Sequence, residues 1–392
     1  MTPAARHQAA IEILDLILEG EAAEKALTTW GRRNRYAGSK DRAAVRDHVF
    51  SALRCRRSFA VLGGAETGRG LTLGALRAEG SAPEAVFSGQ GYGPRPLDDA
   101  ERTAPRDFAS EAERLDIPDW VWPSFSSSLG DQTEAAATAL QTRAPVHLRV
   151  NLLRGNRANA IEALAEEGIL CEPHPVSETA LDVTTGARKI RNSTCFADGL
   201  VELQDAASQA VVDQLPLKDG MRVLDYCAGG GGKSLAMAAQ AKLDLYAHDA
   251  NPSRMIDLPL RAQRGGVDVT CLSEEELPKQ APFDLVLCDV PCSGSGSWRR
   301  APEGKWRLTR AQLDEIRYAQ RQILHDAAAL VGEDGLLAYA TCSMLDEENS
   351  EQVQAFLDEV EGWSLQVQAA WQVQDGTDGF FVSVLTRLPA GC

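Results

Sequence analysis

The stretch Phe283-Asp284-Leu285-Val286-Leu287-Cys288-Asp289-Val290-Pro291-Cys292-Ser293-Gly294 limits the fold more than any other part of this chain. Leu285, Val286 and Leu287 form a short apolar run, the pattern of a strand buried on both faces of a parallel sheet. Polarity returns abruptly at Asp289, and Pro291, with no N–H to give, ends the ladder. A Ser293-Gly294-Ser295-Gly296 loop follows, its glycines free to take backbone angles that other residues avoid. An acid and a thiol therefore stand just past the carboxyl end of a buried strand, where open α/β sheets bind ligands.

Gly335-Leu336-Leu337-Ala338-Tyr339-Ala340-Thr341-Cys342-Ser343 repeats the arrangement: an apolar strand ending in a thiol, 50 residues beyond Cys292. A helix-length segment between the two makes them neighbours in one parallel sheet, with both thiols facing one pocket. Thr309, with Gln312 three residues on, opens that helix as a capping box.

Strands and helices alternate from Asp205 onward, as in a doubly wound α/β sheet. Arg222–Asp225 reads as a strand running into Cys227-Ala228-Gly229-Gly230-Gly231-Gly232-Lys233, with a helix from about Ser234. Such a junction brings backbone N–H groups and a helix N-terminus to one point that a ligand can approach closely. A Walker A loop needs glycine where Cys227 stands, and a dinucleotide fingerprint lacks its third glycine. Asp249, at the next strand tip, suits two ribose hydroxyls or the cap of the turn at Asn251-Pro252-Ser253. These features imply an adenosine-containing cofactor and leave NAD and S-adenosylmethionine both open.

The 392 residues include 9 cysteines with no regular spacing and no Cys-x-x-Cys pair. Reduced thiols, a cytoplasmic setting and no bound metal are expected. No apolar run is long enough to span a membrane, and the N-terminus lacks a charged-then-apolar signal pattern. A net charge of −16 opposes binding to nucleic acid, but the charge is uneven. From Arg32 to Arg57 nine basic residues meet only Asp41 and Asp47, a net +7 that leaves −23 elsewhere. The stretch reads as a solvated helix face or, since arginine forks suit phosphate oxygens, as a phosphate-contacting face with Arg32, Arg33 and Arg35 as candidate nucleic-acid contacts.

Three regions are expected. Residues 1–142 are helical with a connector, because Ile11, Leu14, Leu18, Val45, Val49 and Leu53 recur at helical spacing. Residues 143–203 form a small α/β unit of short strands around one helix. Residues 204–392 form the mostly parallel, Rossmann-like domain.

Hydride transfer needs no pair of thiols. Methylating carbon 5 of a pyrimidine does, because that carbon is a poor nucleophile until a thiolate adds to carbon 6. A proton must then leave carbon 5 before the thiolate is expelled. At these residues the chain resembles the RNA cytosine-5 methyltransferases of the NOP/Sun type, in their bacterial RsmB-like branch. The matching stretches are Arg149-Val150-Asn151, Gln204 to Ser208, Asp225 to Lys233, Asp289 to Gly294, Tyr339 to Ser343 with Glu347-Glu348-Asn349, and Asp378-Gly379-Phe380-Phe381. The helical N-terminus is similar to that branch's NusB-like RNA-binding domain.

The resemblance implies a class I methyltransferase domain that uses S-adenosyl-L-methionine to make 5-methylcytosine in RNA, chiefly small-subunit ribosomal RNA, as a monomer. It implies Cys342 as nucleophile, Cys292 as the group that assists release, and Asp289 as the holder of the cytosine. Cys227, Ala228, Gly229, Gly230, Gly231, Gly232, Lys233, Asp249 and Asp289 would hold the cofactor. Ser273 stands where the family often places an acid for the adenine. Arg149, Arg299, Arg300 and Lys305 are further candidate RNA contacts. Gly229 and Gly230 replace the family's usual Ala-Pro. Two other readings stay open: a non-catalytic RNA-binding protein that keeps the fold, and a transfer-RNA methyltransferase.

Overall fold

The computed structural model describes residues 1–103 and 105–388. It divides into two compact units: Met1–Arg143 with Trp298–Leu308, and Ala144–Ser297 with the chain from Thr309 onward. This differs from the three regions expected. Residues 143–203 share a unit with the large sheet, and a short segment from deep in the third region belongs to the helical unit.

The helical unit begins with Pro3–Leu18, where Thr2 accepts from the Ala5 N–H and Pro3 occupies the first turn. Ala9, Ala10, Ile13, Leu14 and Ile17 bury one face against Val45, Val49, Ala52 and Leu53 of the helix Ser39–Arg54. The next two helices, Arg56–Gly63 and Gly68–Ala78, cross backbone to backbone. A Cβ at Gly74 would stand 1.9 Å from the Phe59 carbonyl oxygen, and one at Gly63 would stand 1.8 Å from that of Gly70. Buried Asp116 caps Arg56–Gly63 from another part of the chain, accepting from the Arg57 and Ser58 N–H groups at 2.8 and 2.9 Å.

The segment Trp298–Leu308 completes this unit. Lys305 Nζ and Trp306 Nε1 donate to the Arg54 and Leu53 carbonyls at 3.1 and 2.6 Å. A helix leaves its last carbonyls without partners, so these donors finish the end of Ser39–Arg54. Arg54 Nε donates back to the Arg299 carbonyl at 2.6 Å. Lys305 is 1% exposed and Arg299 3% exposed. Burial lowers the Lys305 pKa to about 8, against the pull of Asp116. Both side chains were expected on RNA. The structure instead places both inside, and for Lys305 the reason is that the helix end needs donors there.

The second unit holds two sheets. Strands β1 (His147–Val150), β2 (Leu170–Pro173), β3 (Ala180–Thr185) and β4 (Val201–Leu203) form an antiparallel sheet in the order β2-β3-β1-β4. The larger sheet contains β5 (Arg222–Asp225), β6 (Asp244–Ala247), β7 (Thr270–Cys271), β8 (Phe283–Asp289), β9 (Val331–Thr341), β10 (Trp363–Trp371) and β11 (Phe380–Arg387). Its order is β10-β11-β9-β8-β5-β6-β7, parallel except where β11 joins β9 and β10. This is the Rossmann-like α/β fold. Both faces of β8 are covered: Val286 and Cys288 pack towards Leu324 and Phe356, and Leu285 and Leu287 pack towards Val211 and Met237. No helix among the described residues is long and apolar enough to cross a membrane.

Candidate active site

β5 pairs with β6 on one side and β8 on the other. The chain thus fills the sheet outwards from this point in both directions, which opens a crevice at the carboxyl ends of β5 and β8. β8 and β9 run parallel in a register that sets Asp289 beside Ala340. Cys292 and Cys342 follow these strand ends, and their Sγ atoms are 3.3 Å apart. Both are half-buried. The Cys292 thiol is pushed well above the usual range by its hydrogen bond to Cys342, by burial and by the nearby Glu348 charge.

Glu348 ties the two thiol-bearing loops together. It is fully buried, and its carboxylate accepts from the Ser293 N–H at 2.7 Å, the Ser293 and Ser343 hydroxyls at 2.5 Å each, and Gln320 Nε2 at 3.1 Å. Gln320 Nε2 also donates to the Pro291 carbonyl at 2.9 Å, and the Ser295 hydroxyl joins Ser343 at 3.0 Å. Buried acids need such donors. The sequence reading gave Glu348 and Gln320 no role, although the acids beside Asn349, just past the thiol strand, were a visible signal.

Asp289 projects from the tip of β8, and its Oδ2 accepts from Lys233 Nζ at 2.7 Å. The ammonium also lies 5.0 Å from the centre of the Phe380 ring. Lys233 begins the helix Gly232–Gln240, which the glycine loop delivers from β5. Gly229 and Gly231 take φ of +51° and +76°, and a Cβ on Gly231 would meet Leu258 Cδ1 at 2.1 Å. Buried Asp249 accepts the Gly229 N–H at 3.0 Å and the Asn251 N–H at 2.9 Å, with Arg254 Nη1 at 3.1 Å. It therefore shapes the loop and the following turn together. Beneath the loop, Asp225 is held by the Ser234 hydroxyl at 2.6 Å, while its Oδ1 has no hydrogen-bond partner among the described residues. Burial raises the Asp225 pKa to about 7. Burial also raises the thiol of Cys227. The glycine loop and Asp249, at the carboxyl ends of β5 and β6, fit an adenosine-containing ligand.

The remaining candidates scatter. Ser273 is exposed, and both its N–H and its hydroxyl bond Glu276 at 2.9 and 2.8 Å, so it caps a turn. Arg149, expected on RNA, is 3% exposed; its Nη1 donates to the Gly232 carbonyl at 2.6 Å and to Gln204 at 2.7 Å. It braces the glycine loop from β1, because the loop's outward carbonyl needs a donor. Arg300 is exposed. Arg32, Arg33 and Arg35 are exposed and have no hydrogen-bond or ion-pair partner among the described residues. One cluster, His147, His174 and Asp182, has donor atoms within 4.8 Å of one another. It lies in the four-stranded sheet, where His147 already meets Asp182 and Asp205 at 3.0 and 2.9 Å.

Residues 212–386 match the family described as 16S rRNA methyltransferase RsmB/F, and residues 117–188 match the RsmF/B-like ferredoxin-like domain. Ribosomal RNA small subunit methyltransferase B of Serratia proteamaculans is 31% identical over 295 residues, 71% of this chain and 68% of that protein. Its namesake in Yersinia pseudotuberculosis is 32% identical over 246 residues, 61% of this chain and 57% of its own length. Among solved structures, the chain named PH0851 covers 98% of this one and 99% of itself, with a TM-score of 0.75 and 23% identity. NSun6 from Pyrococcus horikoshii covers 69% of this chain and 98% of itself, with a TM-score of 0.61 and 16% identity. At these identities the two structures share the fold.

Proposed function

The chain belongs to the family described as 16S rRNA methyltransferase RsmB/F, and on that premise we propose that it methylates carbon 5 of a cytosine in small-subunit ribosomal RNA. S-adenosyl-L-methionine supplies an electrophilic methyl group. The observation that carries the reading is the Cys292–Cys342 pair, 3.3 Å apart beside Asp289 at one end of the parallel sheet. In this reading Cys342 adds to carbon 6 of the cytosine, and carbon 5 becomes the nucleophile that takes the methyl group. Asp289, ion-paired with Lys233 at 2.7 Å, accepts from the cytosine amino group and holds the ring. Cys292, once its own proton has passed to solvent, takes the carbon 5 proton as a thiolate, directly or through water, and the electron pair left at carbon 5 expels Cys342 from carbon 6. The relatives' shared name, ribosomal RNA small subunit methyltransferase B, supports the choice of RNA.

The test uses the two thiols separately, with small-subunit ribosomal RNA and radiolabelled methyl donor. Cys342→Ala abolishes methyl transfer and leaves no adduct. Cys292→Ala transfers the methyl group but fails to release, and accumulates a protein–RNA species that survives denaturing electrophoresis and disappears with nuclease. Adducts in Cys342→Ala and none in Cys292→Ala would move the nucleophile to Cys292. Full activity in both variants would end the thiol mechanism.

A further inference from the structure

The helical unit contains a cleft of about 670 Å³, lined by Gln8, Glu12, Trp30, Asn34, Tyr36 and Tyr92 among others. Its rims are two turns whose backbones are tied down. The Ala37 N–H bonds the Asn34 carbonyl at 3.0 Å, and Arg42 Nε donates to the Ala37 carbonyl at 2.9 Å. On the other side the Gly93 N–H bonds the Gln90 carbonyl at 3.0 Å. Fixed turns thus present the rings of Tyr36 and Tyr92, which are 74% and 88% exposed. Large aromatics at that exposure do nothing for the core, and two on one cleft form an apolar platform open to water.

Charge decides what fits the platform. Arg42, Arg46, Arg54, Arg56 and Arg57 are spent on Ala37, Glu24, Arg299, Glu66 and Asp119. Arg32, Arg33, Arg35 and Lys40 are exposed with no partner among the described residues, and Arg33 and Arg35 flank Asn34 of the cleft. Among the described side chains lining the cleft, the one carboxylate is that of Glu12, with Gln8 donating to it at 2.9 Å. The Met1 ammonium, also on the lining, is neutralised by Asp41 at 3.2 Å. Phosphates are therefore drawn to the rim and repelled from the interior. A nucleobase suits the interior, since its faces stack on tyrosine and its exocyclic amine finds an acceptor in Glu12.

We propose that this cleft binds an unpaired RNA nucleobase on Tyr36 and Tyr92, with the flanking phosphates on Arg32, Arg33 and Arg35, so that the helical unit selects single-stranded RNA. This rests on RNA being the substrate. Base stacking on an aromatic ring is worth about tenfold or more in affinity per base.

The full-length chain is titrated with a short single-stranded RNA containing adenine and cytosine, and with the same strand in a duplex, using fluorescence anisotropy. The double variant Tyr36→Ala/Tyr92→Ala weakens binding of the single strand by about tenfold or more and leaves the duplex and the slope against salt unchanged. Replacing adenine and cytosine by uracil narrows the difference between Glu12→Gln and the parent. Equal affinity of the double variant and the parent for the single strand overturns the proposal and leaves the cleft to a protein partner. Equal loss for single strand and duplex also overturns it. A parent chain that neither binds nor methylates RNA refutes the substrate reading, whereas an active parent with tyrosine-independent binding refutes the cleft alone. Thermal melting confirms that each variant folds.

Discussion

Asp225 stands at the point where the sheet meets the cofactor loop, and it carries a pH signature. Its carboxyl titrates near 3.8 in an unfolded chain and at about 7 when buried here. Between those values the folded protein holds a proton that the unfolded chain has lost. Stability therefore falls as pH rises through that window, by about 1.4 kcal/mol for each pH unit separating the two values. Asp225→Asn, which stays neutral throughout, flattens that slope; equal slopes in denaturation series from about pH 4 to pH 7 would discount the residue. Other residues differ in how far sequence could read them. The thiols of Cys292 and Cys342 were legible as neighbours because each ends an apolar strand and a helix separates them. Glu348 and Arg149 were not. Their partners, Ser293, Gln320 and Gly232, lie far away in sequence, and the acids beside Asn349 did not show which of them would be buried or on what.

At the scale of elements, the crossing of Arg56–Gly63 and Gly68–Ala78 is the tightest packing in the helical unit to depend on missing side chains. Gly74→Ala drives a Cβ to within 1.9 Å of the Phe59 carbonyl, so the helices must part. The expected cost is about 2 kcal/mol, in the range of overpacked cores. Gly304→Ala is the control: nothing lies within 4 Å of its Cβ position, and alanine favours a helix by up to about 1 kcal/mol over glycine. Denaturant midpoints that fall for the first and hold or rise for the second bear this out; equal midpoints would show that the crossing relaxes. Strands β5, β8 and β9 were legible from their apolar runs and the turns bounding them. β7 spans only Thr270–Cys271 while β10 runs from Trp363 to Trp371, because pairing with β6 and β11 sets their lengths. The edge strand β2, with Leu170, Glu172 and Pro173 exposed, offered only the short run Ile169-Leu170-Cys171 before Glu172 and Pro173.

Across the whole molecule, acidity and RNA recognition coexist through segregation of charge. Reversing Arg32, Arg33 and Arg35 together weakens RNA binding and flattens its dependence on salt, by about 0.7–0.9 log units for each phosphate no longer neutralised. An unchanged slope would make the stretch a solvated face. The net charge of −16 hid this patch, and only the count by position exposed it. The order of the chain hid more. Trp298–Leu308 reads as a charged loop, yet its lysine and tryptophan finish the helix Ser39–Arg54. The consequence concerns time. A ribosome makes the first 143 residues long before it makes residue 308, so the helical unit cannot close while it emerges. It waits, with the Leu53 and Arg54 carbonyls met by water, until the strands β5 to β8 of the larger sheet have been translated. Order of synthesis and order of completion are thus reversed, and a gene fragment ending at residue 143 encodes a unit without its last piece.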